Sequence, residues 1–139
     1  MTLLYDLKMI DKEASYDNHT EAFNIGFFSD CDKAEKTAKR YLTEVDGFKD
    51  CNVTYQITEK SVIGGDDSFP SSVFVICGWN ENDDFDEIDV IESNCYVNES
   101  EAEQELDKLK ASYRRKEWCI SKYMIDQCDW QEGFEKVNR

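Results

Sequence analysis

Residues 32–59 read DKAEKTAKRYLTEVDGFKDCNVTYQITE, and residues 100–127 read SEAEQELDKLKASYRRKEWCISKYMIDQ. Offset by 68 positions, the two stretches align without a gap, with identities at Ala34/Ala102, Glu35/Glu103, Cys51/Cys119, Tyr55/Tyr123 and Ile57/Ile125. Five identities in 28 positions carry little weight by themselves. What adds weight is that each stretch changes period in the same place. In the first, Ala34, Ala38, Tyr41, Leu42 and Val45 recur at helical spacing, with Lys36, Lys39, Arg40 and Glu44 on the other face. Val53, Tyr55 and Ile57 then alternate with polar residues as in a strand. In the second, Ala102, Leu106, Leu109 and Tyr113 form the helical stripe, and residues 118–125 form the strand.

Working outward, each helix is preceded by two strands. Residues 3–9 form the first strand and residues 11–19 a polar loop. Residues 21–28 return as a second strand, with Phe23, Ile25 and Phe27 on one face. Gly26 inside that strand marks a bulge or a close backbone approach. Ser29 and Asp30 are N-cap candidates, and Gly47 stands where a left-handed helix cap belongs. In the second half, residues 73–79 form a strand, 80–86 an acidic loop and 87–97 a strand. Asn98 and Glu101 then have the spacing of a capping box. Residues 61–72 contain two glycines, four serines and the one proline, and read as a connector.

The same order of elements twice over is the signature of a duplication. The expected fold is α+β: two ββαβ repeats, residues 1–60 and 73–139, forming a mainly antiparallel six-stranded sheet with two helices packed on it. A pseudo-twofold is expected to relate the copies. Each half is too small to bury both faces of its own elements, so the two should share one compact domain.

With 40% hydrophobic and 13% aromatic residues, the 139-residue chain has enough apolar material to offset the entropy of ordering it. Its formal net charge is −15, from 31 acidic and 16 basic residues. That field opposes nucleic-acid binding, which needs a basic footprint, and anionic membrane surfaces would repel it. A basic protein would be attracted. No apolar run is long enough to span a bilayer, and Asp6 and Lys8 interrupt the N-terminal stretch early. It reads as a strand and not as a signal peptide. A cytoplasmic location is therefore expected, where the six cysteines (Cys31, Cys51, Cys77, Cys95, Cys119, Cys128) stay reduced. Cys51 and Cys119 are expected to react slowly in the native protein if they begin equivalent strands.

Ile25-Gly26-Phe27-Phe28-Ser29, then Ala34-Glu35, then Gly47-Phe48-Lys49-Asp50, together with Trp130-Gln131-Glu132-Gly133-Phe134 near the end, form a wider pattern. The chain resembles a family of small uncharacterised bacterial proteins with a strand ending I-G-x-F/Y-S/T, an A-E helix, a G-F-x-D/E turn and a W-x-E-G-F ending. The second half departs from the pattern, reading Arg115-Lys116 where the first has the G-F turn. The resemblance implies fold and bacterial origin. It carries no catalytic residue.

Few constellations that carry chemistry are present. His19 is the one histidine, and a lone imidazole in a loop makes neither a three-histidine metal site nor, by itself, a triad. The cysteines contain no C-x-x-C pair. Cys31, in the first turn of the first helix, is the one candidate thiol nucleophile, but Asp30 and Asp32 beside it oppose thiolate formation. Gly64-Gly65 belongs to no phosphate loop. No cofactor, metal or catalytic residue is assigned.

The densest feature is acidic. Residues 81–107 hold twelve Asp or Glu and no Lys or Arg. Phe85 stands where a calcium loop needs glycine, so a solvated hairpin turn is the plainer reading of residues 80–87. An alternative is a docking surface, with Trp79 as aromatic anchor and Glu81, Asp83, Asp84, Asp86, Glu87 and Asp89 as a charged rim. The expected function is a non-enzymatic interaction module of the immunity or inhibitor type that binds a basic partner. Two rivals stand beside it: acidity that serves solubility alone, and an enzyme using an unrecognised Asp, Glu or Cys site.

Overall fold

A computed structural model describes residues 2–65, 69–114 and 116–134. Asp66, Asp67 and Ser68 of the expected connector, Arg115, and the last five residues of the expected second repeat lie outside the described residues.

The elements run β1 (Leu3–Tyr16), β2 (His19–Phe28), α1 (Cys31–Glu44), β3 (Val53–Ile63), β4 (Ser72–Glu81), β5 (Glu87–Tyr96), α2 (Glu99–Ser112) and β6 (Glu117–Met124). The α+β class and the two ββαβ units are therefore as expected. Some boundaries move. The expected polar loop at 11–19 is mostly hairpin: β1 extends to Tyr16, β2 starts at His19, and Asn18 turns the chain at φ 70°. Asn is among the few residues that tolerate that conformation. The strand β3 runs on to Ile63, three residues into the expected connector.

The strand order is β2-β1-β3-β5-β4-β6. Each copy contributes its strands in the order second, first, third, and all pairings within a copy are antiparallel. The copies meet where β3 and β5 pair in parallel, Val62 opposite Cys95 and Ile63 opposite Tyr96. This seam joins unlike strands, so the strand order excludes a twofold passing through it. A second join closes the far side. Beyond β6, the Asp126 N–H donates to the Phe27 carbonyl at 2.9 Å and the Asp129 N–H to the Ile25 carbonyl at 2.7 Å. Gly26 makes that approach possible, since a Cβ there would lie 2.4 Å from the Gln127 carbonyl oxygen. The register also slips beside it, with Leu7 opposite Gly26 but Lys8 opposite Asn24.

Alternation in β1 separates two cores. Leu7 and Met9 face α1 and bury with Ile25, Phe28, Ala34, Ala38, Tyr41 and Phe48. The small residues Ala34 and Ala38 let the helix lie close to the sheet, and the buried Tyr41 donates its hydroxyl to the Asp129 carbonyl at 2.8 Å. Leu4, on the opposite face, buries with Phe27, Val73, Val75 and Cys95 from both copies. The copies thus share a core, as their size requires.

The two helices are not equally embedded. Residues Ala34, Ala38 and Tyr41 of α1 are buried, whereas α2 buries Ala102, leaves Leu106 and Leu109 partly exposed, and ends before the exposed Tyr113. Asp30 caps α1 by accepting from the Asp32 N–H at 2.7 Å. Asn98 does not complete the expected box at α2: its amide donates to the Glu101 carboxylate at 3.1 Å, and its side chain accepts no backbone N–H.

The segment 130–134 covers the first core. Phe134 stacks on Phe23 at 4.8 Å and meets Phe48 edge-on at 5.0 Å, and its N–H donates to the Asp46 carbonyl at 3.0 Å. The helix cap itself is Val45, and Gly47 (φ 85°) serves this contact instead, since a Cβ there would lie 2.4 Å from the Phe134 carbonyl oxygen. The G-F turn and the W-x-E-G-F ending, 80 and more residues apart in the chain, are one packing unit.

Candidate functional site

The tips of the two hairpins meet. The β4–β5 turn is closed by Asn82, whose side-chain oxygen accepts the N–H groups of Asp84 at 2.9 Å and Asp86 at 3.0 Å. The Asn82 N–H donates to the Asp86 carbonyl, and the Phe85 N–H to the Asn82 carbonyl. With these bonds made, Phe85 takes φ 63° and stands 81% exposed at the apex.

The β1–β2 tip clasps this turn. The Tyr16 hydroxyl accepts from the Asn82 amide at 2.9 Å and donates to the Asp86 carboxylate. That carboxylate holds the Tyr16 proton more tightly than usual, so the hydroxyl pKa is raised. His19 lies against the Tyr16 ring at 5.0 Å and is 7% exposed. Its Nδ1 is 2.7 Å from the Glu87 carbonyl oxygen and its Nε2 is 3.0 Å from Glu21 Oε2. A carbonyl and a carboxylate only accept, so both ring nitrogens donate, which only the imidazolium can do. Burial works against the charged ring, but the Glu87 carbonyl, Glu21 and Asp86 outweigh it, and the pKa is raised.

The stability this clasp contributes has a definite pH window. A folded-state pKa above the unfolded one means that the folded protein holds the proton more tightly. The contribution is complete below the ordinary histidine pKa of about 6.5 and is lost as pH rises through the raised value. Urea midpoints of the wild type and of His19→Gln, compared from about pH 5 to about pH 9, should differ most at the acid end and converge at the alkaline end. A gap independent of pH would assign the clasp to packing alone.

The expected partner-binding residues separate into two groups. Glu81, Asp83, Asp84, Glu87 and Asp89 are exposed. Asp86 is half-buried by its bond to Tyr16, and Glu87 serves the clasp through its carbonyl and leaves its carboxylate free of that role. Trp79 is partly buried within β4, so the aromatic residue presented at the apex is Phe85. An isolated aromatic residue inside an acidic run was the available signal for it. Lys116 ties the base of β5 down, bonding Asn80 Oδ1 and the Asp89 carbonyl, each at 2.6 Å.

A second polar cluster lies between the copies, and sequence reasoning missed it. Lys8 Nζ bonds Asp6 at 2.8 Å and Glu92 at 2.9 Å, and Lys60 donates to the Ser93 carbonyl at 3.3 Å. Burial opposes the Lys8 ammonium, but its two carboxylates more than offset this and raise its pKa. Asp6, at 3% exposure, is also raised, because burial of its carboxylate outweighs the help of Lys8. Lys8 therefore serves two anions while Asp6 has one close cation.

The other candidates have structural surroundings. The Cys31 thiol at the start of α1 is held above its ordinary pKa, first by partial burial and then by Glu35, Asp32 and Asp30. Trp118 covers Gly78 on the neighbouring strand, and Trp130 packs edge-on against Phe23. All six cysteines carry free thiols. The condition for a slow pair is not met, because neither cysteine begins a strand: the half-buried Cys51 precedes β3, Cys119 is exposed within β6, and the fully buried thiol is Cys95. Among the described residues, no three His, Cys, Asp or Glu side chains gather as a metal site, and no helix is long and apolar enough to cross a membrane. No protein-family model, no curated protein and no solved structure matches this chain.

Proposed function

We propose that this chain is a non-enzymatic interaction protein of a bacterial cytosol, of the immunity or inhibitor type, and that it holds a basic protein through the β4–β5 turn. The observation that carries this reading is the exposed Phe85 on a self-locked turn, with Glu81, Asp83, Asp84 and Glu87 exposed around it. A turn held by its own hydrogen bonds loses little entropy on binding. An aromatic residue at the centre of a charged rim is the usual arrangement of an energetic anchor. The surplus of 15 negative charges raises the encounter rate with a cationic surface.

The roles of ring and charges separate kinetically. The partner is first isolated from the native lysate on immobilised wild-type protein at low salt and identified, and its association is then followed directly. Asp83→Asn/Asp84→Asn should slow association and flatten its salt dependence, with dissociation little changed. Phe85→Ala should leave association near wild type and accelerate dissociation, costing about 2–4 kcal/mol of affinity. Asp86 is left intact because its carboxylate holds Tyr16. If both variants retain the same partner with wild-type rates, the turn is only a solvated hairpin and the proposal fails.

A further inference from the structure

We propose that Cys77 and Cys119 form an oxidant-sensitive modification site, closing to a disulfide between β4 and β6 when the protein meets a peroxide. Register carries the inference. Cys77 is directly opposite Cys119 in the antiparallel β4–β6 ladder, in a row that continues with Val75 opposite Ser121 and Val73 opposite Tyr123. Directly opposed residues project to the same face with Cβ atoms about 4.5–5.5 Å apart. A disulfide takes Cα separations of about 4.4–6.8 Å and Cβ separations of about 3.5–4.5 Å, within reach of a small closing motion of two strands. Cys119 Sγ lies 3.9 Å from Ser121 Oγ, so the sulfur sits along its own row. None of the other four thiols is opposed to a second one in the pairing of the strands.

The two thiols differ in a way that orders the chemistry. Cys119 is exposed on β6, at the end of the strand order. Cys77 is partly buried, and that burial, with Glu92 and Cys119 nearby, pushes its thiol up to about 12. Cys119 therefore meets the oxidant first. Its thiolate sulfur attacks one peroxide oxygen, the O–O bond breaks, and hydroxide leaves and becomes water with the proton Cys119 gave up. Cys119 is then a sulfenic acid. The Cys77 sulfur attacks that sulfur, the S–O bond breaks, and the second oxygen leaves as water with the Cys77 proton. Two thiols have lost two electrons and two protons, and one hydrogen peroxide has become two waters. The link would fasten β6 to β4 and would be reversed by a dithiol reductant.

The test treats folded, fully reduced protein with a small excess of hydrogen peroxide, quenches with a thiol-alkylating reagent, and maps disulfides by peptide mass. The expected result is loss of two hydrogens and a Cys77–Cys119 cross-linked peptide, with the other four cysteines alkylated. In Cys77→Ser, Cys119 should instead accumulate as sulfenic acid, trapped by a 1,3-diketone probe. In Cys119→Ser no internal link should form. The proposal is overturned if wild-type Cys119 oxidises without linking to Cys77, or if the first link to form joins any other pair.

Discussion

Phe48→Ala should lose about 3–5 kcal/mol of folding stability, the range for truncating a buried aromatic residue. Phe48 is 1% exposed and stands among three aromatic rings, those of Phe23, Tyr41 and Phe134, with centroids 5.0–5.4 Å away. Its removal opens a cavity where α1, β2 and the segment 130–134 converge, and the backbone around it has little freedom to collapse. Gly47 and Gly133 flank the same contact, and a Cβ on Gly133 would lie 2.0 Å from the Asp46 carbonyl oxygen. Domains of this size are stable by only about 5–15 kcal/mol, so the variant should approach the limit of folding. Urea unfolding followed by tryptophan fluorescence reads the effect as a lower midpoint with the slope unchanged. A loss below about 1 kcal/mol, ordinary for any substitution, would mean that the ending is not seated on Phe48.

Lys8→Met should be comparably damaging for an electrostatic reason. Removing one partner of a buried ion pair costs about 3–5 kcal/mol, because the remaining charge is left in a poor solvent. Asp6, at 3% exposure, is the charge left behind; Glu92, at 21%, is better placed to turn toward water. Two measurements distinguish this from lost packing. Adding Asp6→Leu to Lys8→Met should restore most of the stability. The single variant should also gain stability on acidification. With Lys8 gone, the folded-state pKa of Asp6 rises further above its unfolded value. The folded protein then takes up a proton at a pH where the unfolded chain is still ionised, and stability increases as pH falls through the raised pKa. A single variant as stable as the wild type at neutral pH, or a double variant no better than the single, would show that the cluster is solvated.

Legibility in the sequence followed the range of the interaction. The helical stripes and alternating strands were readable because periodicity is local, and so was the duplication that repeats them. That the strands run on to Tyr16 and from His19 is not legible because residues 11–19 have loop composition, and only two pairings hold the tip, Asp11 opposite Glu21 and Tyr16 opposite His19, with a wide bulge between them. Asp6 and Lys8 alternate with Leu7 and Met9 and resemble an ordinary solvent-facing row. The row is internal because the second copy covers it, and Glu92, the partner that makes this tolerable, lies 84 residues away. A lone His19 in a polar stretch signals no role, and its part in the clasp depends on Glu87, 68 residues on.

The sequence by itself determined the element types, the two ββαβ units, the acidic run and the shortage of chemical motifs, since each is a property of composition or of neighbours within a few turns of chain. Only the tertiary structure decided that β1 has a core on each face, that the seam joins unlike strands, that Phe85 and not Trp79 is presented, and that Cys77 faces Cys119. These depend on which distant residues occupy the same space, and desolvation and register are properties of that space rather than of the local chain.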